Sequence, residues 1–518
     1  MIRGSYRRFS TMWALLPALF AVALTVSCGA PDSGGDPDFP ADAGFTPEAP
    51  QTPAPVAILC KAEDAKLFGN VRTATSASGY TGGAYLEGFE NDGDRCEFTV
   101  EIPADGFYDL NFRTKYVGGY KENYVSLNGE RLGTVSTESS NFGNSMMERV
   151  YLSEGRHTVG FEKYWGWVLL DVLHITNSKP LDLSIFDVPA TLVNPNATDR
   201  AKRLMSYLAD SYGNVILAGQ YSDKGLLAQE SGVIYMTTGK YPAVLGLDMM
   251  DYSPSRVLHG STSSAVEHAV VCDEHGGIVT FCWHWNAPEK YLKPKGTWYR
   301  AFYTEETDIN LKKIMDGGDP EGYDLLMSDI DDIDEQLKRL QDADVPILWR
   351  PLHEASGGWF WWGASGAEPY KKLWVTLYER LTYTHGLNNL IWLWNGQSKD
   401  WYPGDGYVDI IGEDIYPGER VYASQIQRFL EAAAYTDPPK MVVLSENGCL
   451  FDPDLAARDG AMWGFFATWG GDFVLRSGLL RYSEKYTEEE MLKKIYNHEL
   501  VITLDELPDL KAYPIRDQ

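Results

Sequence analysis

A (β/α)8 barrel preceded by an antiparallel β-sandwich is the architecture this sequence predicts, and two patterns predict it. Between residues 57 and 178, short runs alternate apolar with polar side chains and are broken by turn residues such as Asn128-Gly129, the period-two signature of half-buried strands. From residue 183 onward, eight apolar runs take turns with stretches of helical periodicity, as a parallel sheet with crossover helices requires. The length of 518 residues agrees, being too great for one ordinary compact domain and enough for two or three cores.

At the start of the chain Arg3, Arg7 and Arg8 precede an apolar run, 12–26, that is too short to span a bilayer comfortably. Cys28 closes it. Residues 1–27 therefore resemble a bacterial lipoprotein signal, with Cys28 as the lipidated first residue of an exported, surface- or periplasm-facing protein; secretion after ordinary cleavage is the alternative. Residues 28–56, rich in Pro, Gly, Ala and Asp, hold too few large apolar side chains to fold and read as a tether. A net charge of -28 argues against nucleic acid and anionic membrane surfaces as partners, so membrane contact is expected only through the lipid. A neutral polysaccharide is indifferent to that charge, and a monomer is expected.

The sandwich strands are read at 96–102, 107–112, 124–127, 157–161 and 168–173. Cys60 and Cys96 fall in this unit and are free to pair in an exported protein, whereas Cys272, Cys282 and Cys449 lie beyond it. None has the close spacing of a zinc site, which leaves buried thiols or one or two disulfides. The barrel strands are read at 214–220, 242–249, 276–285, 346–354, 390–396, 408–416, 441–448 and 464–469, and helices at 199–212, 322–342, 367–385 and 424–434. The acidic run 328–335 looks like a metal cluster, but Leu325, Met327, Ile330, Ile333, Leu337 and Leu340 recur at helical spacing around it, so it reads as a solvated helix face.

In such a barrel, chemistry sits at the C-terminal strand ends. Glu354 ends the fourth strand, and Trp359, Phe360, Trp361 and Trp362 follow it. Glu446 ends the seventh strand, in V-V-L-S-E-N-G, sharing a strand face with Val442 and Leu444. An acid among core-filling groups is costly unless it is used or paired. Two carboxylic acids beside aromatic planes suit glycoside hydrolysis, because pyranose CH faces stack on indoles while the acids work on the glycosidic bond. Their separation decides between retention and inversion, and the residues alone leave that open. By alternation Arg350, Leu352 and Glu354 should all point inward, with Arg350 fixing a carboxylate. His353 either orients Glu354 or packs at the strand end. Asp248 and Asp251, after the second strand, either line the cleft or cap locally.

R-P-L-H-E-A-S-G-G-W-F-W-W-G (350–363), W-H-W-N (283–286), D-I-I-G-E-D-I-Y (409–416) and L-S-E-N-G (444–448) together resemble glycoside hydrolase family 26, mainly endo-β-1,4-mannanases. The resemblance implies retention, Glu354 as acid/base, Glu446 as nucleophile, and no catalytic cofactor. It implies a cleaved-sugar subsite lined by His284, Trp359, Tyr416 and Trp469, and His353 and Trp362 are expected to join them as substrate contacts. Glu413 departs from the family pattern, where an uncharged residue is usual. A-E-D-A (62–65), Y-T-G-G-A-Y-L (80–86) and W-G-W (165–167) followed by Asp171 resemble carbohydrate-binding modules of family 35 or the related family 6. That implies a structural calcium on Glu63 and Asp171, although Lys61 stands where a further acid is usual; Tyr116, Tyr120, Asn144 and Trp165 are the expected sugar contacts. The whole reads as an endo-acting β-mannanase. A mannobiose-releasing exo-enzyme, a mixed-linkage β-glucanase or a non-catalytic glycan-binding lipoprotein are the alternatives.

Overall fold

The computed structural model describes residues 55–476 and 479–516, so Cys28, the expected signal and the tether up to residue 54 lie outside the described residues. Alternation in the first unit does what it predicts. Along Arg95–Ile102 the side chains of Cys96, Phe98, Val100 and Ile102 are buried while those between them are not, and they pack with Tyr108, Leu110 and Phe112 of Gly106–Tyr116. Each such buried side chain contributes about 1.5–3 kcal/mol relative to exposure. One sheet orders Arg72–Ala74, Tyr85–Glu87, Val168–Asn177, Gly106–Tyr116 and Gly143–Leu152, with Ala57–Lys61 pairing Val168–Asn177. The other orders Lys66–Phe68, Arg95–Ile102, Gly155–Lys163, Lys121–Leu127 and Glu130–Thr137. Asn128 (φ 54°) and Gly129 (φ 90°) make the two-residue hairpin between the last two of these. Cys60 and Cys96 stand on different sheets and are free thiols, as are Cys272, Cys282 and Cys449, which removes the disulfide alternative.

The second unit is a closed barrel of parallel strands: β1 (Ile216–Tyr221), β2 (Val244–Asp248), β3 (Ile278–Trp283), β4 (Ile347–Pro351), β5 (Leu390–Trp394), β6 (Ile410–Ile415), β7 (Met441–Asn447) and β8 (Phe465–Thr468). Each pairs with the next, and β8 and β2 both pair with β1, which leaves no open edge between them. Thr198 caps the helix Asp199–Ser211 by accepting from Ala201 N at 3.2 Å. Among the described residues nine tryptophans are fully buried, among them Trp283, Trp349, Trp392 and Trp394, so these indoles fill the core.

Three expectations are corrected here. β4 stops at Pro351; Leu352 (φ 51°) and Glu354 (φ 53°) are left-handed, so strand alternation does not carry from Arg350 to the acid. The acidic run is only partly solvated: Asp329 is buried, accepts from Trp285 Nε1 at 2.7 Å and is pushed up to about 7 by burial, while Asp331 takes both Arg380 nitrogens at 2.6 Å. Glu413 does not shape the cleft, because it is fully buried against Arg428 (2.6 Å) and Tyr435 (3.1 Å) and holds the helix Ile426–Ala433 to the barrel.

That helix meets the sandwich. Glu148 N donates to Gln427 Oε1 at 2.8 Å, Gln427 Nε2 donates back to Glu148 O, and Arg149 Nε donates to Asp459 O at 3.0 Å. Arg149 is left-handed (φ 59°), and its guanidinium also lies 4.1 Å over the Phe107 ring. In calorimetry the parent protein is expected to unfold as one cooperative unit. Combining Gln427→Ala with Arg149→Ala should separate sandwich and barrel into two transitions, and a single transition in that double variant would mean the seam is not what couples them.

Candidate active site

Every barrel strand brings a side chain to one mouth. Tyr221 ends β1 and Asp248 β2, Asp414 and Glu446 are the last residues but one of β6 and β7, and His284, Glu354, Asn395 and Trp469 follow β3, β4, β5 and β8. At the centre Arg350, fully buried on β4, donates through Nη1 to Asp414 (2.6 Å) and through Nη2 to Glu446 (2.7 Å) and the Tyr221 hydroxyl (3.0 Å). This fulfils the expectation that Arg350 fixes a carboxylate. The Tyr416 hydroxyl donates to the other oxygen of Glu446. Both oxygens of Glu446 are thus held in place by donors from β4 and from beyond β6.

Glu446 does not reach this place by plain alternation. The register shifts between Glu413 and Asp414 on the β6 side and between Leu444 and Asn447 on the β8 side, so β7 is locally irregular around Ser445. Ser445 Oγ donates to Asp414 Oδ1 at 2.7 Å and accepts from Asn395 Nδ2 at 2.9 Å. Asn395 in turn fixes the left-handed acid, accepting Glu354 N at its backbone oxygen (2.7 Å) and at Oδ1 (2.9 Å). One oxygen each of Glu354, Asp414 and Glu446 lies within 4.8 Å of the other two. Burial first, and then the charges of Glu446 and Asp414, push the Glu354 carboxyl well above the usual carboxylate range. Burial and Glu446 raise Asp414 as well, against the pull of Arg350.

Trp359, 46% exposed, donates from Nε1 to Glu354 Oε2 at 2.8 Å. Trp469 lies over Tyr221 with centroids 4.8 Å apart and meets His284 at 5.7 Å. Asp248 holds His284: its Oδ2 takes Nδ1 at 2.7 Å and its Oδ1 takes His284 N (3.1 Å) and Met250 N (2.8 Å), so it both caps locally and serves the cleft. Burial works against this charge, but the His284 contacts outweigh it and the Asp248 carboxyl is held low. Asp251 instead pairs with Arg256 at 2.9 Å. His353 is buried with Nε2 3.2 Å from His284 Nε2, and burial, Arg350 and His284 together keep it neutral. It therefore supports His284 and does not orient Glu354. Trp362 is also no substrate contact: it is fully buried and donates to His353 O at 2.8 Å.

The residues that sequence reasoning missed are Asp414, Tyr221, Asn395 and Ser445. Asp414 stands two residues before Tyr416, in a motif already singled out, but next to Glu413 its facing was ambiguous until the register shift was seen. Tyr221 and Asn395 carry no motif.

On the sandwich Tyr120 and Trp165 meet with centroids 5.9 Å apart, and Trp165 is 58% exposed. Trp167, which was not anticipated, is 56% exposed at φ 52°, and its carbonyl accepts from Val117 N at 2.8 Å. Tyr116 is half-buried beside Val117, whereas exposed Asn144 is set back along the sheet as the strand partner of Arg113. The calcium expectation does not fit. Both Asp171 oxygens accept from Thr81 N at 3.0 Å, Oδ2 also pairs with Arg113, and Glu63 Oε1 accepts from Gly83 N at 3.0 Å. A guanidinium already neutralises the buried acid.

A raised acid and a donor-held carboxylate at a barrel mouth, with an exposed indole hydrogen-bonded to the acid, define the class of glycoside-cleaving (β/α)8 enzymes. The comparisons agree. Residues 193–506 match the model of glycosyl hydrolase family 26, and the chain belongs to that family. Residues 59–178 match the carbohydrate binding module of family 35. A mannan endo-1,4-β-mannosidase of Thermothelomyces thermophilus is 40% identical over 482 residues, covering 92% of this chain and 96% of that protein. Mannan endo-1,4-β-mannosidase A of a Piromyces species is 36% identical, covering 88% of this chain and 73% of that protein. The crystal structure of a GH26-CBM35 β-(1,4)-mannanase of Podospora anserina superposes with a TM-score of 0.62 at 40% identity, covering 88% of this chain and 99% of that one.

Because its folded pKa is raised, Glu354 lends its full stability only below the unfolded carboxyl range and loses it as pH rises towards the folded value. Glu354→Gln should therefore raise the melting temperature at pH 8 and change it far less at pH 4. Equal effects at both values in calorimetry would contradict the raised pKa.

Proposed function

We propose that this protein is an endo-acting, retaining β-1,4-mannanase that hydrolyses internal bonds of mannan, glucomannan or galactomannan. The observation that carries the reading is that one oxygen of Glu354 lies within 4.8 Å of one oxygen of Glu446. Inverting enzymes keep their carboxyl groups about 6.5–9.5 Å apart to seat a water and retaining ones about 5–5.5 Å, so oxygens this close favour direct attack. The mannanase names of the relatives with the same two-module extent support the substrate class.

Glu446, held between Arg350 and Tyr416, attacks the anomeric carbon. Glu354 begins protonated and gives its proton to the departing glycosidic oxygen. Forming the glycosyl-enzyme removes the charge of Glu446, and with it the larger of the two coulombic contributions that hold the proton on Glu354, the other being that of Asp414. Glu354 then deprotonates the incoming water, which breaks the ester and restores Glu446. His284, fixed by Asp248 and backed by neutral His353, contacts the cleaved sugar with Trp359 and Trp469. Tyr120 and Trp165 give the sandwich a polymer-binding edge, which raises local substrate concentration by a second contact. Lipidation at Cys28 would hold the monomeric enzyme at the cell surface.

Reducing-sugar release from mannan should vanish in Glu446→Ala. With an activated aryl mannoside of adequate length, Glu354→Ala should still form the glycosyl-enzyme, because a phenolate leaves unprotonated, and azide should restore its turnover. Exchanged phenotypes would exchange the two roles. In affinity electrophoresis through soluble mannan, the intact chain carrying Glu446→Ala should be retarded, and adding Trp165→Ala should release most of that retardation. Unchanged migration would leave the sandwich as a spacer.

A further inference from the structure

We propose that the guanidinium of Arg113 is the resident cation of the sandwich, and that this unit folds and keeps its loop 79–83 in place without a bound divalent ion. Asp171 is 0% exposed, and a carboxylate so placed needs a compensating charge. It is also a bulge. Leu170 pairs with Thr114 and Val172 with Arg113, which leaves Asp171 as the extra residue between them. A bulge re-aims the side chain it carries, and here that side chain meets the guanidinium of the facing strand.

Arg113 uses two nitrogens. Nη1 pairs with Asp171 Oδ2, and Nη2 donates to Gly79 O at 3.0 Å, with the Phe142 ring 5.4 Å from the guanidinium. The partners are a carboxylate and a backbone carbonyl, the oxygen types a calcium ion takes, though calcium would want six to eight of them at about 2.3–2.6 Å. Those oxygens face donor hydrogens instead. Thr81 N and Oγ1 donate to Asp171 at 3.0 and 2.8 Å, and Gly83 N donates to Glu63 at 3.0 Å. The guanidinium thus ties the loop 79–83 to two neighbouring strands, Gly106–Tyr116 and Val168–Asn177, which is the stitch an ion would otherwise make. Lys61, two residues before Glu63, adds a second positive group where an acidic ligand would strengthen an ion site. The inference stands on folding and not on the substrate proposed above, so either can fail alone.

The test uses the intact chain with calcium as the probe, at about 5 mM and above the ~10⁻⁴–10⁻³ M affinity of extracellular calcium modules, against excess EDTA. Thermal unfolding should coincide in the two media to within about 1 °C, and equilibrium dialysis should find no stoichiometric calcium. Arg113→Ala should lower the melting temperature by on the order of 10 °C in EDTA, because it leaves a buried carboxylate unpaired. Calcium should recover part of that loss, since the freed oxygens then lack their cation. One calcium bound per parent chain, or a parent melting temperature raised by calcium, would overturn the proposal. So would an Arg113→Ala protein as stable as the parent. Should Arg113→Ala fail to fold, dialysis on the parent decides the question by itself.

Discussion

One guanidinium makes the site possible. Three carboxylic acids stand within 4.8 Å of one another at the barrel mouth, and two of them share Arg350, which is itself fully buried. Without it, Asp414 and Glu446 would be buried acids facing each other, a situation that costs about 3–5 kcal/mol when one partner of a buried pair is removed. Arg350 does more than neutralise. Its fork sets the spacing of Asp414 and Glu446 and reaches Tyr221 on β1, so a residue of β4 ties together β1, β6 and β7 across the barrel interior. Glu354 lies outside that fork. The asymmetry is chemical: one acid takes direct donors on both oxygens, while the other is pushed up by burial and by the neighbouring Glu446 and Asp414.

Local irregularity delivers both acids. Leu352 and Glu354 are left-handed without being glycine, a conformation that costs on the order of 1–3 kcal/mol and persists only when neighbours over-determine it. Asn395 does so through two acceptors for one backbone N–H. The irregular stretch of β7 around Ser445 plays the same part for Glu446, with Ser445 bonded to both Asn395 and Asp414. Ser445 and Asn395 thus join the support of the two acids into one hydrogen-bonded network. Beneath the cleft, Asp248, His284 and His353 form a second chain whose members are fixed by one another.

The two units solve the buried-charge problem in parallel ways. In the barrel Arg350 serves Asp414 and Glu446, and in the sandwich Arg113 serves Asp171. A third pair, Glu413 with Arg428, has no part in the cleft but fixes the helix whose Gln427 grips the backbone of Glu148. The residue that departs from the family pattern is therefore explained by packing between helix and barrel, one step from the seam with the sandwich.

By itself the sequence determined the two architectures, the eight barrel strands and two acids, Glu354 and Glu446, at the mouth, while the resemblance of short motifs to a known family pointed to His284, Trp359, Tyr416 and Trp469. Periodicity and short motifs are both local. Tertiary structure decided what depends on facing and on partners. Alternation assumes a regular strand, so it failed where φ turns positive at Leu352 and Glu354 and where β7 loses register around Ser445. Trp362 and His353 look like binding residues in a row of aromatics, yet burial turned them into supports. Asp414, Asn395 and Arg113 acquire meaning only from residues 31 to 64 positions away, with which no local pattern connects them.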